Sequence, residues 1–166
     1  KNMVDRRNPD RPGNTGLVIL QVPLELLPDE YFTWETGGAA HTGVSMDAAR
    51  LGSVTQLVGT GLTGGVNLSV NASKAGSYEL GSAVNPDTFG IQVLLSRQNH
   101  VIYQGEYYVC GEPVPRYGKG KLTITRYGKV GEKIEGYFTA TVYSPSTDCR
   151  NLSKLVTGKF RIRRMQ

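Results

Sequence analysis

The sequence lacks a run of 18 apolar residues and has only two cysteines and two histidines. The missing run argues against a membrane-spanning helix. The cysteines and histidines match no metal or redox spacing, so we expect neither a metal site nor a cofactor. The chain begins at Lys1 and not at Met, which predicts a trimmed product. The lack of a signal peptide therefore does not indicate the cytoplasm.

The sequence also lacks the motifs of common enzyme classes. Residues 59–64, GTGLTG, fit a dinucleotide-binding pattern, but the residues that follow alternate like a strand and do not open a phosphate-binding helix. There is no Walker loop, and the segment around Ser45 lacks the second glycine of a nucleophile elbow. His41, Ser45 and Asp47 are too close within one strand to converge as a triad. We predict that the chain is not an enzyme.

Glycine and proline are abundant, with 21 and 8 residues among 166, which is typical of short strands joined by tight turns. Apolar and polar residues alternate along most of the chain. Leu122 and Ile124 are thus predicted to face the core, with Thr123 and Tyr127 on the wet side. The pattern predicts an all-β fold: an antiparallel β-sandwich, immunoglobulin-like or related, of about 8–9 strands.

The chain is predicted to contain one domain. Residues 1–15 are charged, include two prolines and show no apolar periodicity. This composition is typical of a flexible tether. Residues 16–166 are then a single β-sandwich domain, long enough to bury a core of its own.

The positive charge is concentrated near the C-terminus. Residues 115–166 carry 12 Lys and Arg against 3 Asp and Glu, whereas residues 1–114 carry 7 against 11. Such a segment attracts anions or forms a solvated sheet face. Its tyrosines stack on sugars or pack against one another across strands. Both interpretations stay open, and the candidate binding residues are Tyr117, Tyr127, Tyr137, Tyr143 and Arg161. Without an aromatic RNA-binding signature, we do not expect nucleic acid as a partner.

The two cysteines, Cys110 and Cys149, are 39 positions apart in the chain. They form one disulfide if the protein is exported, or stay as two inert thiols. The sequence leaves these alternatives open.

Three segments together resemble a known family: GSYELGS at residues 76–82, GKLTITRYGKVGEKIEGYFTATVYS at 120–144, and VTGKFRIRR at 156–164. In this order they resemble an uncharacterised β-sandwich family of exported, often lipid-anchored proteins of Bacteroidota. The chain departs from that pattern in two loops, each of which carries a cysteine. The family supplies no catalytic residues to carry over.

The resemblance implies export to the periplasm, the outer membrane or the cell surface. Contact with a membrane would be made only through a lipid anchor upstream, and a disulfide becomes chemically permissible. We therefore expect a non-catalytic module of a cell-envelope protein, with an unknown envelope protein or glycan as its partner. The alternative is a carbohydrate-binding or adhesin-like module that uses a Tyr/Lys/Arg sheet face.

Overall fold

In the computed structural model, the described residues are 29–95, 101–144 and 151–166. The predicted tether, residues 1–15, and the first part of the predicted domain, residues 16–28, lie outside them. The described residues form thirteen strands and no helix. The strands are β1 (Tyr31–Thr36), β2 (Ala39–Thr42), β3 (Ser45–Leu51), β4 (Val54–Gly61), β5 (Gly64–Val70), β6 (Gly76–Leu80), β7 (Thr88–Leu95), β8 (Val101–Gln104), β9 (Glu106–Tyr107), β10 (Arg116–Tyr117), β11 (Gly120–Tyr127), β12 (Lys133–Tyr143) and β13 (Ser153–Arg163).

Five of these strands close into a barrel. β11 pairs with β12 on one side and with β6 on the other. β6 runs parallel to β7, which pairs with β8, and β8 returns to β12 at the Gln104–Tyr143 pair. The remaining long strands extend this ring, with β13, β1 and β2 beyond β12, and β5, β4 and β3 beyond β7. A bridge between Ala48 and Arg164 joins the two extensions.

The all-β prediction is confirmed, but the predicted arrangement and number of strands need correction. The described strands number thirteen and not 8–9, and eleven of them belong to one sheet. The pairing does not separate them into the two facing sheets of an immunoglobulin-like sandwich. A period of two shows that one side of each strand is buried. It cannot distinguish a sheet that packs on a second sheet from one that closes on itself.

No helix within the described residues has the length and apolar character needed to cross a bilayer.

The core contains a cluster of aromatic rings around β1. The ring of Phe32 lies 6.0 Å from Trp34, 6.1 Å from Phe138 and 5.8 Å from Phe160, measured between centroids. Each buried ring of this size contributes roughly 1.5–3 kcal/mol through removal from water. Further buried apolar residues are Leu57, Val66, Leu68, Val70, Phe89, Ile91, Val93, Leu122, Ile124, Ile134, Ala140, Val142, Val156 and Ile162.

Gly59 in β4 lets this aromatic cluster approach the backbone. A Cβ atom at Gly59 would lie 2.4 Å from the Phe32 ring, a distance that no relaxed structure tolerates. We predict that Gly59→Ala lowers the free energy of unfolding by about 1–3 kcal/mol through overpacking, measured by urea denaturation. Gly90→Ala is the matched control, because its Cβ would meet Ala83 at an ordinary 3.5 Å. Equal effects of the two substitutions would contradict this account.

Tyr78 is expected to make the free energy of unfolding depend on pH in the alkaline range. Burial raises the pKa of its phenol above 10.0, with smaller contributions from the charge of Asp87 and from Tyr127. As the pH rises, the phenol therefore ionises in the unfolded chain before it ionises in the folded protein. The contribution of neutral Tyr78 to stability is complete below about pH 10 and is lost as the pH rises through the raised pKa of the folded state. We predict that Tyr78→Phe reduces the loss of unfolding free energy between about pH 8 and about pH 11. An unchanged slope would count against this assignment.

Candidate functional site

The outward faces of β4, β5, β7 and β8 form an uncharged surface. Asn67, Gln92 and Gln104 lie side by side on β5, β7 and β8. In the next row, Gln56 of β4 adjoins Ser69 of β5. None of the outward residues of these four strands carries a charge: they are Val54, Gln56, Val58, Thr60, Gly65, Asn67, Ser69, Thr88, Gly90, Gln92, Leu94, Ile102 and Gln104.

These polar residues form the floor of a groove of about 330 Å³. One wall is the turn at residues 81–83, and Glu106 and Tyr117, cross-strand neighbours in the β9–β10 hairpin, form the other. Tyr117 is 38% exposed, so its ring is accessible to a ligand. We call this surface the amide groove and define it by Gln56, Asn67, Ser69, Gln92, Gln104, Glu106 and Tyr117.

Hydrogen bonds fix the turn that forms the first wall. The Thr88 hydroxyl donates a bifurcated hydrogen bond to the carbonyl oxygens of Ser82 and Asn85, the latter at 3.0 Å. Asn71 Nδ2 donates to the Val84 carbonyl oxygen at 3.1 Å. Short polar side chains that bond to nearby backbone groups stabilise turns in this way. The wall is therefore positioned independently of any ligand.

The hairpin that carries Tyr117 is attached to the barrel through two glycines. The Gly105 amide donates to the Ile91 carbonyl oxygen at 3.0 Å, and the Gly118 amide donates to the Gly105 carbonyl oxygen at 2.9 Å. Beside Tyr117, Arg116 forms a bidentate pair with Glu112, with N–O distances of 2.9 and 2.6 Å. Hydrogen bonding and charge from Glu112 raise the pKa of Arg116. The guanidinium charge next to the groove is thus compensated by its neighbour.

The groove offers hydrogen bonds of both kinds. Each side-chain amide supplies two N–H donors and one carbonyl acceptor. Asn67 Oδ1 is buried and, among the described residues, has no hydrogen-bond partner. An unpaired buried acceptor costs about 1–3 kcal/mol. The arrangement suits a ligand that both donates and accepts hydrogen bonds and carries no net charge.

An apolar hollow adjoins the amide groove. It has a volume of about 190 Å³, shares Asn67 and Gln92 with the groove, and is also lined by Val58, Leu94 and Ile102. Ile102 is 44% exposed. The combined surface offers amides next to small apolar side chains, which matches a ligand that has hydroxyl edges and apolar faces.

The predicted binding residues lie in different places. Tyr117 borders the amide groove, whereas Tyr137 and Arg161 lie on the outer face of β12 and β13. Tyr137 is 55% exposed and stands opposite Lys159. The structure therefore does not bring Tyr117 and Tyr137 onto one surface.

Acidic residues compensate much of the positive charge on that outer face. Arg161 lies 3.3 Å from the Glu135 carboxylate. Lys133 binds Asp29, and its hydrogen bond and charge lower the pKa of that carboxyl. Exposed ion pairs of this kind contribute little stability. They do reduce the attraction of the face for an anionic ligand.

Tyr127 does not lie on the wet side of its strand, contrary to the sequence prediction. The register between β11 and β12 shifts between Ile124 and Arg126, and this irregularity turns the following side chain. Tyr127 packs against the core, and its hydroxyl lies 2.6 Å from that of buried Thr55. We therefore assign Tyr127 a structural role.

Tyr143 also makes a packing contact. Its ring lies 4.3 Å from the Tyr107 ring, measured between centroids. The distance is slightly below the range of about 4.5–7 Å that is usual for aromatic pairs, so the two tilted rings are in direct contact. Tyr143 thus fits the alternative of cross-strand tyrosine packing.

The disulfide between Cys110 and Cys149, one of the two alternatives that the sequence leaves open, stays a prediction. Cys110 lies in the loop between β9 and β10. Cys149 lies outside the described residues.

The sequence alone does not indicate that the amides of the groove form a site. The sequence does show that Asn67 and Ser69 alternate with the buried residues of β5 and so face outward. Gln92 and Gln104 belong to other strands, and their proximity depends on the pairing of β5, β7 and β8. A single sequence does not reveal such pairing.

No protein-family model, curated protein or solved structure matches the chain. The resemblance to exported β-sandwich proteins of Bacteroidota therefore stays a prediction.

The two tyrosines on β11 and β12 are expected to differ in their effect on stability. We predict that Tyr127→Phe lowers the free energy of unfolding by about 1 kcal/mol, because it removes the hydrogen bond to buried Thr55. Tyr137→Phe is the matched control, since Tyr137 is exposed, and its effect should stay within about 0.5 kcal/mol. Urea denaturation measures both. A larger effect at Tyr137 would contradict the assigned roles.

Proposed function

We propose that the protein is a non-catalytic binding module that recognises a neutral carbohydrate through the amide groove. The observation that carries this proposal is the uncharged groove floor, which combines amide side chains with an accessible tyrosine at its edge. Sugar hydroxyls donate and accept hydrogen bonds, as amides do. The apolar face of a sugar ring stacks on tyrosine.

The absence of charge on the groove floor favours a neutral ligand. A phosphate or sulfate group needs cationic partners, and the described lining of the groove contains no Lys or Arg. Its one ionisable acid is Glu106, whose carboxylate accepts hydrogen bonds from hydroxyls and repels anions. This distribution replaces the Tyr/Lys/Arg sheet face as the proposed carbohydrate site.

The non-catalytic part of the proposal is supported by the surroundings of His41. Its Nδ1 shares a hydrogen bond of 2.8 Å with the Thr63 hydroxyl, and its ring stacks on Trp34. Among the described contacts, no carboxylate orients this imidazole as a triad acid would.

We further propose that the module belongs to an exported, lipid-anchored cell-envelope protein. Support comes from the resemblance carried by residues 76–82, 120–144 and 156–164. An exposed position would give a glycan-binding groove access to polysaccharides outside the inner membrane.

Affinity electrophoresis of the full chain in gels that contain neutral β-glucan, xylan or mannan tests the proposal. We expect at least one of these polymers to retard the protein. Tyr117→Ala should weaken that binding about tenfold, equivalent to about 1.4 kcal/mol, through loss of stacking. Gln92→Ala, which removes one amide from the groove floor, should also weaken it.

Tyr137→Ala is the matched control, because it removes an exposed tyrosine from the other face. It should leave retardation unchanged. Loss of binding in Tyr137→Ala, with Tyr117→Ala unaffected, would move the site to the β12–β13 face. Retardation by sulfated dextran alone would contradict a neutral ligand.

A further inference from the structure

A second pocket lies at the end of the core where β1, β2 and β13 meet. Its volume is about 320 Å³, and its polar lining comes from Thr36, His41, Thr63 and Lys154. We call it the end pocket. It shares no described lining residue with the amide groove, so it is a separate site.

The pairing of the strands explains why polar side chains reach this pocket. Thr36 follows Phe32 and Trp34 on the inward face of β1, and it stands opposite Ala39 of β2. Lys154 lies two residues before buried Val156, on the same side of β13. Its ammonium is 5.2 Å from the centroid of the Tyr103 ring. A cation–π contact of this type holds a lysine without neutralising it.

The end pocket region has unmet hydrogen-bonding capacity. Thr36 is 6% exposed, and its hydroxyl has no hydrogen-bond partner among the described residues. The same holds for His41 Nε2 and for Nε1 of Trp34, which stacks against the His41 ring. Buried polar groups are paired in most proteins, so three such atoms around one histidine call for an explanation.

The charge of the end pocket indicates which ligand would form hydrogen bonds with the polar groups that line it. Its described ionisable residues are His41 and Lys154, and none is acidic. The nearby carboxylate of Glu35 is exposed and belongs to the outward face of β1. The Lys154 ammonium and the Thr36 hydroxyl, which both line the pocket, donate hydrogen bonds. They call for an acceptor with negative charge.

We propose that the end pocket binds a small carboxylate that carries a short apolar group. The carboxylate would bind at Lys154 and Thr36, and the apolar group would contact Ala39, Ala40 and Leu95, which complete the lining. A carboxylate offers several acceptor positions to the Lys154 ammonium and the Thr36 hydroxyl. A bare phosphate would leave the apolar part of the lining without a contact.

Calorimetric titration of the full chain with potassium butyrate tests this proposal. Butyramide, the neutral analogue of the same shape, should bind at least about tenfold more weakly, and so should inorganic phosphate. Equal binding of butyramide would overturn the role of charge. Equal binding of phosphate would overturn the role of the apolar group.

Two substitutions connect the binding to named residues. Lys154→Met keeps much of the side-chain length and should weaken butyrate binding about tenfold. Lys159→Met, on the outward face of the same strand, should have no effect. Equal affinities of Lys154→Met and the parent protein, with both folded by thermal melting, would overturn the proposal.

Thr36→Val removes the hydroxyl but preserves the shape of the side chain. It should raise the melting temperature, because a buried unpaired group is lost, and should weaken butyrate binding. A raised melting temperature with unchanged affinity would show that the hydroxyl does not contact the ligand.

Discussion

The closure of the sheet is the constraint on which the rest of the structure depends. β8 joins β7 on one side and β12 on the other, so a chain of strand pairs returns to its start. Each strand of the ring then buries one face in a shared core and leaves the other outside. Packing consequently restricts the inward residues and leaves the outward residues available for binding.

The outward residues divide into two surfaces of different chemistry. On β4, β5, β7 and β8 they are amides, hydroxyls and small apolar groups without charge. On β12 and β13 they include Tyr137, Lys159 and Arg161, with charges partly compensated by neighbours such as Glu135. A sheet face that only contacts water must keep the protein soluble, and charged residues do this well. The uncharged amide surface is the one that solubility alone does not account for.

Much of the core could be predicted from the sequence. Leu122 and Ile124 occupy alternate positions on β11, and both are buried as expected. The orientation of Tyr127 could not be predicted, because a register shift between β11 and β12 reverses the face of the sheet on which the following side chains lie. Such a shift depends on the partner strand and leaves no mark in the alternation of β11 itself.

The amide groove is harder to predict from the sequence than the core is. Asn67, Gln92 and Gln104 are distant along the chain and become neighbours only when β5, β7 and β8 pair. The ring that fixes this pairing depends on a contact between Gln104 and Tyr143, which is again remote in sequence. The sequence indicates Tyr117 as a candidate because basic residues lie near it in the chain. The structure instead places it beside uncharged amides.

The most direct test of this account is an NMR titration of the isotope-labelled chain with a soluble neutral oligosaccharide from a polymer that retards it. The account predicts shifts of the side-chain NH₂ resonances of Asn67, Gln92 and Gln104, together with the ring resonances of Tyr117. Unchanged amide resonances, with shifts confined to Tyr137 and its neighbours on β13, would contradict it.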